Sequence, residues 1–215
     1  MTIKFNRLLT LGLISASLVA SLSACVPMML GSAMLGGALV ATDRRTSGAQ
    51  LEDEGIELRA ASRVRDNLGE RVHVNISSYN RRVLLSGEVP NEQDKQLVEQ
   101  IASRVENVHS VVNELAISGN TSLTQRSSDS LVSGRVKAGL VDAKDLYANA
   151  FRVVTERGTT YLMGRVTQRE ADRATEITRT TSGVQKVVRV FEIISEDDLR
   201  NMLPQPAPAA TPAKK

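Results

Sequence analysis

The stretch that decides the fold occurs twice: Arg-Val-Leu-Leu-Ser-Gly-Glu-Val at residues 82–89, and Thr-Tyr-Leu-Met-Gly-Arg-Val at residues 160–166. Gly87 lies over Gly164 when the second copy is shifted by 77 residues. A duplicated stretch of this kind indicates an internal repeat. Because the sequence holds no third copy, we expect a tandem pair of small domains rather than a solenoid.

The repeat extends on both sides of this stretch. Downstream, residues 110–113 lie over residues 186–189 at a shift of 76. Upstream, the shift is 72, and the matched pairs are Val64 with Val136 and Leu68 with Leu140. The change of shift predicts five extra residues in the second copy, near residues 141–146, between its first helix and its first strand.

Hydrophobic periodicity predicts the same order of elements in each copy: helix, strand, strand, helix, strand. In the first copy these are a helix at 57–68, strands at 72–78 and 83–89, a helix from Asn91 to about Arg104, and a strand at 111–117. In the second copy they are a helix at 129–144, strands at 151–156 and 161–166, a helix from Thr167 to about Thr180, and a strand at 184–194. The predicted fold class is α+β, with two αββαβ domains that each pack a three-stranded mixed sheet against two helices.

Composition marks the ends of these domains, because Ser, Thr, Gly and Asn cluster between the copies and four of the six prolines lie near the end of the chain. The predicted divisions are a signal peptide at 1–24, an acylated cysteine and tether at 25–51, domains at 52–118 and 127–195 with a linker at 119–126, and a disordered tail at 196–215.

The beginning of the chain has the pattern of a lipoprotein signal. Lys4 and Arg7 precede an apolar run, which ends in Leu-Ser-Ala-Cys at residues 22–25. This ending resembles the bacterial lipobox, which implies that Cys25 is acylated and becomes the first residue of the mature protein. The alternative is an ordinary secretory signal with an incidental cysteine. Val26 is not the aspartate that resembles an inner-membrane retention signal, so we expect a protein that is lipid-anchored in the outer membrane and faces the periplasm.

Residues 26–41 are apolar, rich in glycine and free of charge. A run of this length is shorter than the roughly 20 residues that a membrane-spanning helix needs. We expect a tether next to the membrane, and a hairpin or partial insertion stays open as an alternative.

The αββαβ unit, with a glycine near the end of its second strand and a valine-rich last strand, resembles the BON domain. The order of lipobox, apolar stretch and two such units resembles that of dual BON-domain outer-membrane lipoproteins. This resemblance implies a non-enzymatic lipoprotein that supports the outer-membrane barrier, is found at the division site, and binds anionic phospholipid through the first helix of its second domain.

The residues of that helix support the implication independently. One face carries apolar core positions, and the opposite face is apolar where a solvated helix is polar. We call this outward set, with the basic residues on its two sides, the ridge; it consists of Leu131, Gly134, Arg135, Lys137, Ala138, Val141 and Lys144. Apolar side chains between cations suit a helix that lies at a membrane interface.

The first copy serves as an internal control. At the shift of 72 its outward positions are Arg59, Ser62, Asp66 and Gly69, an ordinary solvated face. Residues 52–118 contain 8 basic and 12 acidic residues, a balance of −4, whereas residues 127–194 contain 11 basic and 8 acidic residues, a balance of +3. Anionic phospholipid is therefore expected to attract the second domain and not the first.

Three other interpretations of the ridge stay open at this point. Leu131 and Val141 could pack against the first domain, or the ridge could be an accidental apolar surface. The ridge could also bind envelope proteins, which makes the chain a scaffold for outer-membrane assembly or cell-wall hydrolysis machinery. A stress chaperone has little support.

The sequence offers few parts for catalysis, for cofactors or for nucleic-acid binding. Cys25 is the only cysteine, and the only histidines are His73 and His109, both expected at the surface. We therefore expect no catalytic residues, no metal site and no cofactor. Aromatic residues make up 3% of the chain and its mature charge is nearly neutral, which is not the pattern of a nucleic-acid-binding protein.

Overall fold

The computed structural model describes residues 43–202, which belong to one compact unit. The predicted signal peptide, Cys25, the tether as far as residue 42, and residues 203–215 of the predicted tail lie outside the described residues. Within residues 43–202, no helix combines the length and the hydropathy needed to cross a bilayer.

The first repeat folds as the predicted αββαβ unit. Its elements are α1 (Ser47–Leu68), a 3-10 turn (Gly69–Arg71), β1 (His73–Tyr79), β2 (Arg82–Val89), α2 (Glu92–Ser103), β3 (Ser110–Asn113) and β4 (Ala116–Ile117). The predicted last strand is broken into β3 and β4 because the Leu115 N–H donates to the side chain of Asn113 at 3.2 Å. The Leu115 side chain is buried and joins the core of this repeat.

The second repeat has the same order of elements and an added C-terminal helix. They are α3 (Leu123–Asp142), a 3-10 turn (Ala148–Ala150), β5 (Phe151–Glu156), β6 (Thr159–Val166), α4 (Gln168–Thr180), β7 (Lys186–Ile193) and α5 (Glu196–Met202). The capping box predicted from Thr167 and Glu170 is confirmed at the start of α4.

Each repeat forms one mixed sheet, in which an antiparallel hairpin is extended by a parallel last strand. In the first, β1 pairs antiparallel with β2, and β2 pairs parallel with β3 and β4. In the second, β5 pairs antiparallel with β6, and β6 pairs parallel with β7. The predicted fold class, two α+β domains with mixed sheets, is confirmed.

Three apolar clusters hold this architecture together. The helices of each repeat cover one face of its own sheet and form a separate core there. A third cluster draws on the strands of both repeats, so that the two sheets meet through their remaining faces; its buried members are Tyr79, Leu84, Tyr161, Met163 and Val190. The helices α1 and α3 therefore lie on the sides of their sheets that face away from the partner repeat.

Several predicted boundaries need correction. Helix α1 begins at Ser47 rather than at 57, and helix α3 begins at Leu123 rather than at 129, because Thr46 and Ser122 supply N-terminal caps. Residues 47–51 of the predicted tether and 123–126 of the predicted linker are consequently helical. Residues 196–202 of the predicted tail form α5, in which Leu199 is buried.

The register between the two first helices also needs correction. Asp53 on α1 accepts hydrogen bonds from the N–H groups of Asn80 and Arg81 in the β1–β2 turn. Asp129 on α3 does the same for Arg157 and Gly158 in the β5–β6 turn. The two aspartates are 76 residues apart, so the predicted five-residue insertion is wrong, and the helices match at a shift close to that of the strands.

The error has a physical origin in helical periodicity. The buried side chains of α1 recur every four residues from Ile56 onward, so the pattern looks the same after a shift of one turn. Apolar spacing alone could not distinguish shifts of 72 and 76. The buried aspartate could, because each helix has one and each caps its own hairpin turn.

Candidate functional site

The ridge lies at the surface of the second repeat. Leu131 is 63% exposed and Val141 is 64% exposed, and the other five predicted residues are exposed as well. Six of the seven belong to α3, whereas Lys144 follows the end of the helix at Asp142. The interpretation that Leu131 and Val141 pack against the first repeat is wrong, because the first repeat covers the opposite face of the second sheet.

The core side of α3 determines which residues point outward. Its buried positions are Asp129, Val132, Val136 and Leu140. Gly139 lies beside this face, where an added Cβ would stand 3.1 Å from Ile177, so this glycine allows α3 to pack closely on α4. An added Cβ at Gly134 would meet nothing within 4 Å, which agrees with its place on the open side.

The cations of the ridge are available for an external partner. Within residues 43–202, Arg135, Lys137 and Lys144 take part in none of the ion pairs. The one described contact among them is a hydrogen bond of 3.4 Å from Arg135 to the carbonyl of Ser182. The ridge therefore presents three positive charges, none of which has a carboxylate oxygen of residues 43–202 within 4.0 Å.

Sequence reasoning missed one apolar member of this surface. Leu123, at the start of α3, is 78% exposed. It lies 18 residues before Val141, which is five helical turns, so both side chains follow the same stripe. The signal was present in the sequence, but these residues were assigned to a linker and were not placed on the helix.

The first repeat is not the polar control that the sequence predicted. Leu51 and Leu58 on α1 are 70% and 67% exposed and lie two turns apart on one stripe. The corrected register places Leu58, rather than Ser62, at the position of Gly134. Both repeats thus expose aliphatic side chains on their first helix.

Charge pairing separates the two helices. Arg59 on α1 pairs with Glu52 at 2.7 Å, and Arg63 pairs with Glu106 at 2.8 Å. Hydrogen bonds from Asn107 and then from Arg59 lower the pKa of Glu52. The hydrogen bond from Arg63 lowers the pKa of Glu106 in the same way. The exposed leucines of the first repeat are consequently bordered by two neutralised arginines, whereas Arg65, two turns after Leu58 on the same stripe, is exposed and takes part in none of the ion pairs of residues 43–202.

A second polar centre lies where the two repeats meet. His73, Glu88 and Glu156 each offer a ligand atom, and these atoms lie within 4.8 Å of one another. The prediction that His73 is exposed is wrong, because its imidazole is 16% exposed and its Nδ1 lies 2.8 Å from Glu88 Oε2. Sequence reasoning missed this centre because the pairing of His73 with Glu88 across β1 and β2 became known only with the strand register.

The residues just before α1 also join the two repeats. The side chain of Arg44 binds the second repeat. Its guanidinium contacts both oxygens of Glu170 at 2.7 Å and the carbonyl of Arg165 at 2.8 Å. Its neighbour Arg45 lies over the ring of Tyr79 and pairs with Asp53 in the first repeat. The predicted tether therefore contains, at residues 44 and 45, a pair of arginines that bind one repeat each.

Comparison with known proteins finds one family for both repeats. The BON domain model matches residues 53–119 and 128–195. The outer membrane lipoprotein DolP of Haemophilus influenzae is 38% identical over 175 residues, which is 80% of this chain and 90% of that protein. The 21 kDa hemolysin of Actinobacillus pleuropneumoniae is 30% identical over 154 residues, which is 71% of this chain and 79% of that protein.

Proposed function

The chain belongs to the BON domain family as a dual BON-domain outer-membrane lipoprotein of the DolP type, and from this premise we propose that its second domain binds anionic phospholipid. In this proposal acyl chains on Cys25 hold the protein to the membrane, on the periplasmic side, and the ridge of α3 contacts the lipid surface. The protein supports envelope integrity at the division site and catalyses no reaction.

The observation that carries the proposal is the combination of exposed aliphatic side chains with unpaired cations on α3 and directly after its end. Leu123, Leu131 and Val141 supply apolar surface that can enter the boundary between headgroups and acyl chains. Arg135, Lys137 and Lys144 supply charge for lipid phosphates, at about 1 kcal/mol for each basic residue near an anionic surface. Together these terms give weak binding, which is sufficient for a domain that an anchor already holds near the membrane.

Flotation with vesicles tests the proposal. The fragment 43–215 lacks Cys25 and contains all three apolar clusters, so it is expected to fold without the anchor. It is mixed with vesicles of phosphatidylglycerol and phosphatidylcholine, and with vesicles of phosphatidylcholine alone. We expect flotation with the anionic vesicles, and several-fold less flotation for the Lys137→Glu variant.

Lys95→Glu is the matched control, because it makes the same change of charge on α2 of the first repeat. It is expected to float like the wild type. Equal flotation of wild type and Lys137→Glu, or no flotation of either, contradicts the lipid assignment.

A second candidate function has its own support in the first repeat. Leu51 and Leu58 are exposed on a domain whose balance of charge is −4, and the nearby Arg59 is already paired with Glu52. Such a surface suits a protein partner better than an anionic membrane, as in a scaffold for envelope proteins. Photo-crosslinking in cells distinguishes the surfaces: position 131 is expected to give lipid adducts, and position 58 one discrete protein adduct.

A further inference from the structure

His73, Glu88 and Glu156 form a centre that has no role in the lipid-binding proposal. His73 and Glu88 face each other across the ladder between β1 and β2 of the first repeat. Glu156 is the last residue of β5 in the second repeat. The centre therefore draws two side chains from one domain and one from the other.

Glu88 and Glu156 are carboxylates, and within the described chain both are buried without an arginine or lysine partner. Glu88 is fully buried and Glu156 is 8% exposed. Among the ion pairs of residues 43–202, Glu88 pairs with His73 alone and Glu156 with no cation within 4.0 Å. Burial raises the pKa of Glu156, and the nearby Glu88 adds to this shift. Buried carboxylates normally have a paired cation or a metal ion.

One oxygen of this centre has no hydrogen-bond partner. Glu88 Oε2 accepts hydrogen bonds from the N–H and the hydroxyl of Thr121, both at 3.3 Å, and lies beside His73. Glu88 Oε1 is buried, and within the described part of the chain nothing donates to it. A buried carboxylate oxygen in this state is rare and costs stability, unless an ion or a water molecule completes it.

These observations point to a cation, and we propose that His73, Glu88 and Glu156 are the protein ligands of one divalent transition-metal ion, for which Zn²⁺ is the probe. One imidazole nitrogen and two carboxylate oxygens are ligands of the types that Zn²⁺ takes at sites with three protein ligands and an open position. In a tetrahedral site with bonds of about 2.0–2.2 Å the ligand atoms are about 3.4 Å apart, so any pair of this centre that is wider than that must close on binding.

Neighbouring side chains already hold the carboxylates in place. The Asn75 amide donates to Glu156, and Thr121 donates to Glu88. Hydrogen bonds from an outer shell of this kind orient the ligands of metal sites. Thr121 also lines an open crevice with Gly119, Gln125, Arg157 and Gln185, which leads from the solvent to the residues that contact Glu88.

The position of the centre gives the metal a structural role. Because its ligands come from both repeats, the complete set exists only while the two sheets are packed together. A ligand that binds one arrangement stabilises that arrangement. The bound ion therefore fixes the first repeat against the second.

Metal titration of the full chain tests this proposal. The tag-free protein is purified in detergent, stripped with a chelator and titrated with ZnCl₂ in competition with a chromophoric chelator. We expect one Zn²⁺ per chain and a rise of the melting temperature with Zn²⁺ concentration. The Glu156→Gln variant, which keeps an oxygen acceptor for Asn75, is expected to bind at least about 100-fold more weakly, since loss of an outer partner alone costs about 10–100-fold.

A histidine control and a second readout make the result specific. His109→Gln alters the only other histidine, which is exposed, and is expected to bind Zn²⁺ like the wild type. The visible spectrum of the Co²⁺-loaded chain is expected to show nitrogen and oxygen ligation and to lose this signal in the His73→Gln variant. The proposal is overturned if the wild type binds Zn²⁺ no more tightly than Glu156→Gln does, or if His109→Gln weakens binding as much.

Discussion

The first helices of the two repeats have the same core and different outer surfaces. Both place a buried aspartate and then apolar side chains at four-residue spacing against their sheets. Both also expose aliphatic side chains, Leu51 and Leu58 on α1 and Leu131 and Val141 on α3. They differ in charge, because within residues 43–202 Arg59 and Arg63 on α1 are paired with glutamates and leave only Arg65 free, whereas none of the three cations of the ridge is paired.

Under the lipid-binding proposal, this difference means that an apolar stripe alone does not identify a membrane-binding helix. An anionic bilayer attracts a helix only where its cations are free to meet lipid phosphates. On α1 the ion pairs with Glu52 and Glu106 reduce that attraction, because they leave Arg65 as the one unpaired arginine of this helix in the described structure. Charge pairing, which becomes visible only in the structure, is what separates the two surfaces.

The largest expected effect concerns the second helix of each repeat. Asp94 and Glu170 occupy the same position after the caps of α2 and α4, but Asp94 pairs with an exposed Arg71 and Glu170 with the buried Arg44. Arg44→Ala leaves a buried carboxylate without its partner and is expected to lower the free energy of unfolding by about 3–5 kcal/mol. Arg71→Ala is expected to cost about 1 kcal/mol or less. Urea unfolding at neutral pH measures both.

The ion pair between Arg44 and Glu170 makes the free energy of unfolding depend on pH. Burial raises the pKa of Glu170, but the hydrogen bonds from Arg44 and Thr167 outweigh it and the pKa lies below the ordinary 4.5. A carboxyl with a lowered pKa stabilises the fold above its unfolded pKa, and this contribution is lost as the pH falls through the folded pKa. The difference between wild type and Arg44→Ala is therefore expected to shrink below about pH 4.5. A constant difference down to pH 3 contradicts this account.

The next effect concerns the aliphatic side chains of the two helices. Leu131→Gln with Val141→Gln removes apolar surface and keeps charge and helix propensity, and we expect vesicle binding of the fragment to fall about tenfold or more. Leu51→Gln with Leu58→Gln makes the matched change on α1 and is expected to alter vesicle binding less than twofold. Equal losses in both variants mean that α1 also contacts the membrane.

The smallest expected effect tests whether the ion pairs of Arg59 and Arg63 prevent the first repeat from binding anionic vesicles. Glu52→Gln with Glu106→Gln releases Arg59 and Arg63, and binding to anionic vesicles is expected to rise a few-fold and to fall again in high salt. The control is Glu92→Gln with Glu99→Gln on α2, which makes the same change of net charge without freeing an arginine. If the control rises as much, net charge rather than pairing explains the difference between the repeats.

The sequence was sufficient for the features that depend on local patterns. The repeat, the order of elements and the capping box of Thr167 and Glu170 all follow from spacing and from short-range hydrogen bonding. The exposure of the ridge residues could also be predicted, because six of the seven lie on the outward side of a single helix. The register between the copies was not, because apolar positions four residues apart look alike after a shift of one turn.

Features that depend on distant partners could not be predicted. His73 has Glu88 as a partner only because of the strand register, and Glu156 comes from the other repeat. Arg44 lies 126 residues from Glu170, and nothing in its own neighbourhood indicates a buried ion pair. The neutralised arginines of α1 likewise depend on Glu106, which follows the next helix.

The attachment of Arg44 to the second repeat limits how far the two domains could lie from an anchor at Cys25, the proposed acylation site. Residues 26–43 separate Cys25 from Arg44, and these 18 residues span at most about 65 Å when fully extended. Arg44 binds the second repeat and Arg45 binds the first, so the segment reaches both repeats before α1 begins. A mechanical load applied at an acylated Cys25 would therefore be shared between the two domains and would not pass through α1 alone.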